Sequence, residues 1–326
     1  MPDRVLITGA TGFVGSHIAR AFAEAGHEVH CGVRPTSDTR WIDDLAVERV
    51  PLDLDGPGSL VEAVRDVRLV VHAAGLTRAG RASDFYSVNE EGTRRLAAAA
   101  AAAGVRRFVL ISSLAARGPD ACAKAGGDDP VSDYGRSKLA AEAYLRDLGG
   151  PMEAVALRPA AVYGPRDRDF LPLFRMARAG WLVVPGGPGL LQPVYVDDAA
   201  RAVLAATGKD VGFGPFPVAG RERYTWQGAA AGLEKALGRP VRTVRLPAAA
   251  FLLAGRIAER AAMLRGGVAL LDERRARDLA LHAWTCDVSG TEKALGWRAE
   301  VPLLEGLERT ARWYLQAGWL SSIKTR

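Results

Sequence analysis

Glycines recur at every third position, Gly9, Gly12 and Gly15, directly after the apolar run Val5-Leu6-Ile7 and at the opening of a helical pattern. The stretch Thr8-Gly9-Ala10-Thr11-Gly12-Phe13-Val14-Gly15 therefore predicts a strand, a tight turn and a helix N-terminus in immediate succession. Residues without side chains let the chain turn sharply, let backbone approach a pyrophosphate, and let the helix lie close to the strand. Unpaired N–H groups of the first helical turn then face the anion. Because the spacing is G-x-x-G-x-x-G rather than the usual G-x-G-x-x-G, the context carries the reading. A strand comes immediately before, and a second strand, residues 28–33, follows Gly26-His27. Gly9, Thr11, Gly12, Phe13, Val14 and Gly15 are thus the expected cradle of a dinucleotide.

That second strand ends in Gly32-Val33-Arg34-Pro35-Thr36-Ser37. In dinucleotide folds a carboxylate at this tip holds the ribose 2′-hydroxyl, whereas an Arg accommodates a 2′-phosphate. Here the tip carries Arg34 and no carboxylate, which favours NADP(H) over NAD(H). The next strand ends Leu52-Asp53-Leu54, ahead of Gly56-Pro57-Gly58. Asp53 stands either to reach the adenine amino group or to open the glycine turn, and the residues leave both readings open. Asp53 and Leu54 are carried forward as candidate cofactor contacts.

A second constellation is Tyr134-Gly135-Arg136-Ser137-Lys138, inside a helical pattern that runs to about Leu148. A Tyr and a Lys four apart share one helix face, so the ammonium can lie beside the phenol oxygen. A free Tyr titrates near ~10, and base chemistry at neutral pH asks for about 4 kcal/mol of preferential stabilisation of the phenolate. One cation at ~4 Å supplies about 1 kcal/mol in water but about 4 at an effective dielectric of ~20. The pair is therefore effective only in a partly closed site. Upstream, Arg107-Phe108-Val109-Leu110-Ile111-Ser112-Ser113 reads as a buried parallel strand ending in hydroxyls. Ligands of open α/β sheets sit at the carboxyl ends of strands, so Ser113 is a candidate to hydrogen-bond a substrate oxygen beside Tyr134.

Strand and helix patterns alternate from Val5 to about Leu157, which predicts an α/β architecture with a parallel sheet flanked by helices. Residues 1–164 are expected to form the dinucleotide-binding domain and 165–326 mainly the substrate domain, with 194–205 returning to the first as a strand and helix. The loop from Gly118 to Pro130 lies between Ser113 and Tyr134 and is expected to move. The bulk properties exclude several classes. A net charge of +6 from 43 basic and 37 acidic residues is modest, and the arginines are scattered, so nucleic acid is not an expected partner. Cys31, Cys122 and Cys286 have no metal spacing and are too few for a disulfide framework. The chain enters its first strand straight after Met1-Pro2-Asp3, leaving no room for a signal peptide, and a cytoplasmic location is expected.

Together the glycine motif, His72-Ala73-Ala74-Gly75, Val88-Asn89-Glu90-Glu91-Gly92-Thr93, Ser113, Tyr134 with Lys138, and Arg158-Pro159 with Val162-Tyr163-Gly164-Pro165 resemble the extended short-chain dehydrogenase/reductase superfamily. The likeness continues through Val194-Tyr195-Val196-Asp197-Asp198, Ala294-Leu295-Gly296-Trp297 and Trp313-Tyr314, and so spans almost the whole chain. It implies a Rossmann-type doubly wound sheet with a smaller, interleaved C-terminal domain. It also implies that Tyr134 is the acid/base, that Lys138 lowers its pKa and binds the nicotinamide ribose, and that Ser113 polarises the substrate oxygen. Asn89 would support the site, and Ala73, Ala74 and Gly75 would contact the cofactor. Arg158 is assigned strand packing alone. A homodimer, paired through helices around residues 84–103 and 133–148, is implied as well.

Within the superfamily, sugar-nucleotide enzymes usually carry an Asn just before the Tyr-Gly-Pro element and an Arg before the Val-Asp-Asp element, both gripping a diphosphate. This chain has Ala161 and the run Leu190-Leu191-Gln192-Pro193 in those places. Apolar side chains cannot replace a guanidinium clamp, although Arg166, Arg168 or Arg221 could take its role. The departure favours the branch that resembles 3β-hydroxysteroid dehydrogenases and dihydroflavonol reductases. The segment from Leu246 to Leu271 points the same way, with Leu253, Ile257, Ala261 and Leu264 on one helical face, read either as core of the smaller domain or as lining or lidding an apolar pocket. Charges interrupt it too often for a membrane span, and surface contact through Arg256, Arg260 and Arg265 is a minor alternative. Three functions follow: an NADP(H)-dependent reductase or dehydrogenase of an apolar ketone or alcohol, a nucleotide-sugar epimerase or dehydratase, and a non-catalytic nucleotide-binding protein.

Overall fold

The computed structural model describes residues 3–120, 127–186, 189–208, 211–264, 276, 277, 279 and 283–320. Its centre is a seven-stranded sheet built from β1 (Arg4–Thr8), β2 (Glu28–Val33), β3 (Glu48–Pro51), β4 (Leu69–His72), β5 (Arg107–Ile111), β6 (Glu153–Pro159) and a late strand, Phe216–Val218. From that late strand at one edge the order runs β6, β5, β4, β1, β2, β3, and every pairing is parallel. The order reverses direction at β1, and such a switch point opens a crevice outside the carboxyl ends of the strands. This is the parallel α/β sheet that the alternation predicts, in the doubly wound form that the resemblance implies.

The strands inside the edge strand β3 are buried on both faces, so side-chain alternation divides one sheet between two cores. Val5, Ile7, Val71 and Val109 face a cluster containing Ile18 and Phe22 of α1 (Phe13–Glu24). Leu6, Val70, Phe108 and Leu110 face the opposite cluster, where Leu60 of α2 (Pro57–Ala63), Leu96 of the helix Gly92–Ala102, and Leu145 of the helix Asp133–Asp147 pack.

The second half is interleaved in a way the sequence shows only in part. Val194–Tyr195 pairs with Val162–Tyr163 in a separate two-stranded sheet, while its following helix, Val196–Ala205, packs with α1 in the same apolar cluster. The strand that extends the main sheet is instead Phe216–Val218, on β6. It is only three residues long, too short to show a period. The smaller domain gathers around Tyr163, Phe174, Trp226, Leu307 and Tyr314, and the short parallel pair Trp181–Pro185 with Arg242–Leu246 backs it.

One expectation is reversed. Leu253, Ile257 and Leu264 of the helix Ala248–Leu264 point away from the protein, at 56, 60 and 89% exposure. The buried side belongs to Phe251, which packs with Leu246, Ala248, Leu252 and Leu279. One aromatic ring on the inner face outweighs the aliphatic stripe in anchoring the helix. The segment's continuation to Leu271, with Arg265, lies outside the described residues.

Candidate active site

The glycine motif forms the expected turn. Gly9 has a left-handed backbone (φ 70°), and a Cβ there would lie 2.7 Å from the backbone of Ala73 and Ala74. A Cβ on Gly15 would lie 2.1 Å from the Gly9 carbonyl oxygen. The turn, the first turn of α1 and the end of β4 are thus packed backbone to backbone. Two helices are capped by hydroxyls, Asp133–Asp147 by Ser132 and Trp226–Leu237 by Thr225; α1, like several others, has no side-chain cap, and it is preceded by Gly12. Its N–H groups, with Thr11, Phe13 and Val14 alongside, remain free for an external anion. The donor set and the close packing fit the pyrophosphate of a dinucleotide.

Around the rim, Arg34 is exposed just past β2, and its backbone N–H donates to Ser37 Oγ at 3.0 Å. Asp53 opens the glycine turn: its Oδ1 accepts from the Asp55 N–H at 3.1 Å, and its own N–H donates to Ser59 Oγ at 3.0 Å. The turn reading accounts for one carboxylate oxygen and leaves the other outward. Leu54 lies half-buried beneath, its carbonyl accepting from Arg95 Nε at 2.7 Å.

Tyr134 and Lys138 occupy the first two turns of the helix Asp133–Asp147, about 5–6 Å apart at Cβ. Ser132 sets the helix start by accepting from the Gly135 N–H at 3.1 Å. Gly135 itself is dictated by contact, because a Cβ would meet the Ala115 carbonyl oxygen at 2.3 Å. That carbonyl belongs to the single 3-10 turn Leu114–Ala116 that Ser113 caps, so the helix bearing Tyr134 rests on the turn following Ser113. Ser113 Oγ accepts from the Ala115 N–H at 3.1 Å, which leaves its hydroxyl proton available. Tyr134 is half-buried, with its ring 6.0 Å from that of Phe85. Lys138 is buried, and its Nζ donates to the Ile111 carbonyl at 3.0 Å, at the end of β5. Burial lowers its pKa to about 8, while the carboxylate of Glu142 opposes the shift. It therefore remains a cation at neutral pH.

Asn89 sits in a π-helical turn, Tyr86–Glu91, a geometry often found at functional sites. Its amide accepts from the Leu76 N–H at 2.8 Å and donates to the Leu76 carbonyl and Ser137 Oγ, both at 3.0 Å. A Cβ on Gly75 would lie 2.8 Å from Asn89 Oδ1 and 3.0 Å from Lys138 Nζ, so these three residues meet at one point. A directed chain reaches it from the glycine turn. The Ala74 N–H donates to Thr8 Oγ1 (3.2 Å), Thr8 lies 2.6 Å from His72 Nδ1, His72 Nε2 lies 3.0 Å from Thr93 Oγ1, and Thr93 donates to the Asn89 carbonyl (2.6 Å). With Thr93 already donating to Asn89, His72 must donate from Nε2, and in the neutral ring Nδ1 then accepts from Thr8. Burial, aided by the charge of Lys138, lowers its pKa to about 3.

Sequence reasoning missed a second network. Arg158, read as packing, makes three bonds of 2.6–3.1 Å to the buried carboxylate of Glu142 and two, of 2.6 and 2.8 Å, to Asp128. Ser112 donates to the same Glu142. In the loop before Tyr134 the described shoulders are hydrogen-bonded, Asp128 to Arg158 and the Asp120 N–H to the Ala283 carbonyl at 3.1 Å. Cys122 and Lys124 lie outside the described residues. The Glu four residues after Lys138 and the Asp eight before Arg136 were visible, but nothing in their spacing names Arg158 as the common partner.

The residue after Ser113, Leu114, belongs to a small buried apolar cluster. Leu114 packs with Ala160, Ala219, Cys286 and Trp284, and Trp284 bridges to Leu191. Gln192 is engaged internally, donating to the Gly220 carbonyl at 2.7 Å and accepting from the Cys286 N–H at 2.8 Å. Of the arginines considered as a substitute clamp, Arg166 donates to Ser16 Oγ at 3.0 Å and stacks 5.2 Å over Trp41, and Arg168 lies over Trp319. Both are committed elsewhere. Arg221 is exposed.

Residues 5–215 match the model of the NAD dependent epimerase/dehydratase family. The chain belongs to that family. It is 35% identical over 318 residues, 97% of this chain and 96% of the relative, to a ceramide reductase of Caulobacter vibrioides, and 31% identical over 260 residues, 74% and 77% of the two chains, to sterol demethylase protein B of Methylococcus capsulatus. Its fold superposes on MoeE5 in complex with UDP-glucuronic acid and NAD with a TM-score of 0.74 and 26% identity, covering 97% of this chain and 99% of that one. The family member described here is accordingly an NAD(P)-dependent enzyme, in the broad class that includes reductases and epimerases. Among the described residues no helix is long and apolar enough to cross a membrane.

Proposed function

We propose that the protein reduces a ketone on a long, apolar substrate, or runs the reverse oxidation of the alcohol, with NADP(H) as the preferred cofactor. The observation that carries this reading is Tyr134 and Lys138 one helical turn apart, supported by the apolar run Leu190-Leu191 in the place where sugar-nucleotide enzymes carry a clamping Arg. The name of the Caulobacter vibrioides relative, a ceramide reductase, adds weight to a lipid-like substrate. For NADP(H), the support is Arg34 at a strand tip without a carboxylate.

A nicotinamide nucleotide held by the glycine turn, Arg34 and Lys138 would supply or accept the hydride. The protein's part is proton control. Ser113 donates its free hydroxyl proton to the substrate oxygen, and Tyr134 transfers the phenolic proton to that oxygen as the carbon is reduced. Lys138 stabilises the phenolate left behind, at an effective dielectric low enough for one charge to matter. In the oxidative direction the same phenolate takes the proton back.

Purified protein with NADPH should consume the cofactor when given a long-chain keto-amide or a 3-ketosterol, and not with UDP-sugars. Interconversion of a UDP-sugar without net change in nicotinamide absorbance, together with no response to the apolar panel, would replace this reading with an epimerase.

A further inference from the structure

Seven large hydrophobic side chains are exposed among the described residues, and four of them, Leu253, Ile257, Met263 and Leu264, lie on the single helix Ala248–Leu264. At 3.6 residues per turn, Leu253, Ile257 and Leu264 fall within about 40° of one another, opposite the buried Phe251 and Gly255. Arg260 and Arg256, also exposed, fall about 20° and 60° to one side of Leu253 on the same wheel. The outward face is therefore an aliphatic ridge bordered by guanidinium groups. A folded chain gains nothing from such a ridge in water.

We infer that this helix docks the protein flat on an anionic lipid bilayer, with Leu253, Ile257 and Leu264 entering the acyl boundary and Arg256 and Arg260 meeting the headgroups. Shape and charge fit that occupant, since apolar residues beside basic ones are the pattern of helices that lie in an interface. A second copy of the chain fits less well. Self-pairing through the ridge would bring Arg256 and Arg260 against their own counterparts, on molecules that each carry a net charge of +6. Docking would serve the long-chain substrate proposed above, yet it stands on exposure and charge alone, so vesicle binding and substrate turnover fail separately.

The test is flotation of the full chain with vesicles of phosphatidylcholine alone or of equal parts phosphatidylcholine and phosphatidylglycerol. Wild type should float with the anionic vesicles, and raised salt should weaken the association. Leu253→Glu with Ile257→Glu should lower binding by at least about tenfold, and Arg256→Gln with Arg260→Gln by about tenfold or more. All four sites are exposed, so thermal midpoints and turnover of a short, water-soluble ketone should stay at wild-type values. Absence of wild-type flotation, or equal flotation of wild type and both variants, would overturn the proposal. So would a solution dimer that the Leu253/Ile257 variant dissociates while vesicle binding is unchanged.

Discussion

Glu142→Gln tests whether the buried network organises the site or only fills it. The carboxylate is wholly buried and accepts from Arg158 and from Ser112, while Arg158 keeps Asp128 as a second partner. Breaking a buried ion pair from one side costs about 3–5 kcal/mol, because the remaining charge stays desolvated. Gln retains one acceptor and Asp128 remains in place, so the loss should be about 2–4 kcal/mol, a thermal midpoint lower by roughly 3–6 °C. The same carboxylate also favours the charged form of Lys138, which burial has already brought to about 8. Without it the lysine pKa falls further, the phenolate of Tyr134 loses support, and the rise of alcohol oxidation with pH should shift to higher pH. Scanning calorimetry and a pH–rate profile read the two effects. An unchanged midpoint would refute the energetic coupling. A lower midpoint with an unmoved profile would make Glu142 purely structural.

Tyr134→Phe should reduce turnover by about 10²–10⁴-fold while leaving nucleotide affinity unchanged, since only the transferable proton is lost; stopped assays and a nucleotide titration check it. Arg34→Ala should weaken NADPH by about 10–100-fold through loss of a charge-assisted bond worth roughly 1.5–3 kcal/mol, with NADH unaffected. Equal losses for both nucleotides would remove Arg34 from phosphate recognition. His72 carries a folded pKa near 3 against an ordinary value of 6.5, so the unfolded chain binds the extra proton between those limits. Stability should be complete above about 6.5 and decline as pH falls toward 3, and His72→Gln, measured by chemical denaturation, should flatten that decline.

Legibility followed the range of the interactions. The central strands of the first half are buried on both faces and separated by helical patterns, so Val5 to Leu157 announces its parallel sheet directly. Gly9 and Gly15 are readable because only glycine tolerates a 2.1–2.7 Å approach of backbone, and Tyr134 and Lys138 because four residues make one turn. What stayed hidden depends on partners distant in sequence. Arg158 meets Glu142 and Asp128 from different elements, and Trp284 meets Leu191 across nearly a hundred positions. The helix around Ile257 was read inside out for a related reason. Periodicity finds an apolar face but does not say what stands opposite it, and Phe251 took the inner position.

The two polar networks divide one electrostatic task. A phenol beside a cation is a base only while that cation is held charged in a buried place, a combination that burial alone opposes. On one side Glu142 supplies the counter-charge to Lys138 and is itself balanced by Arg158. On the other side His72 is an imidazole close enough to feel Lys138, and a second cation there would oppose the first. Burial opposes that state, and the bond to Thr93 fixes Nε2 as the donor of the neutral ring. The chain that fixes this tautomer also runs from the backbone beside the glycine turn to Asn89, and through Asn89 to Ser137 between Tyr134 and Lys138. The residues that bear on the charge of Lys138 are therefore the same ones that tie its helix to the backbone beside the glycine turn.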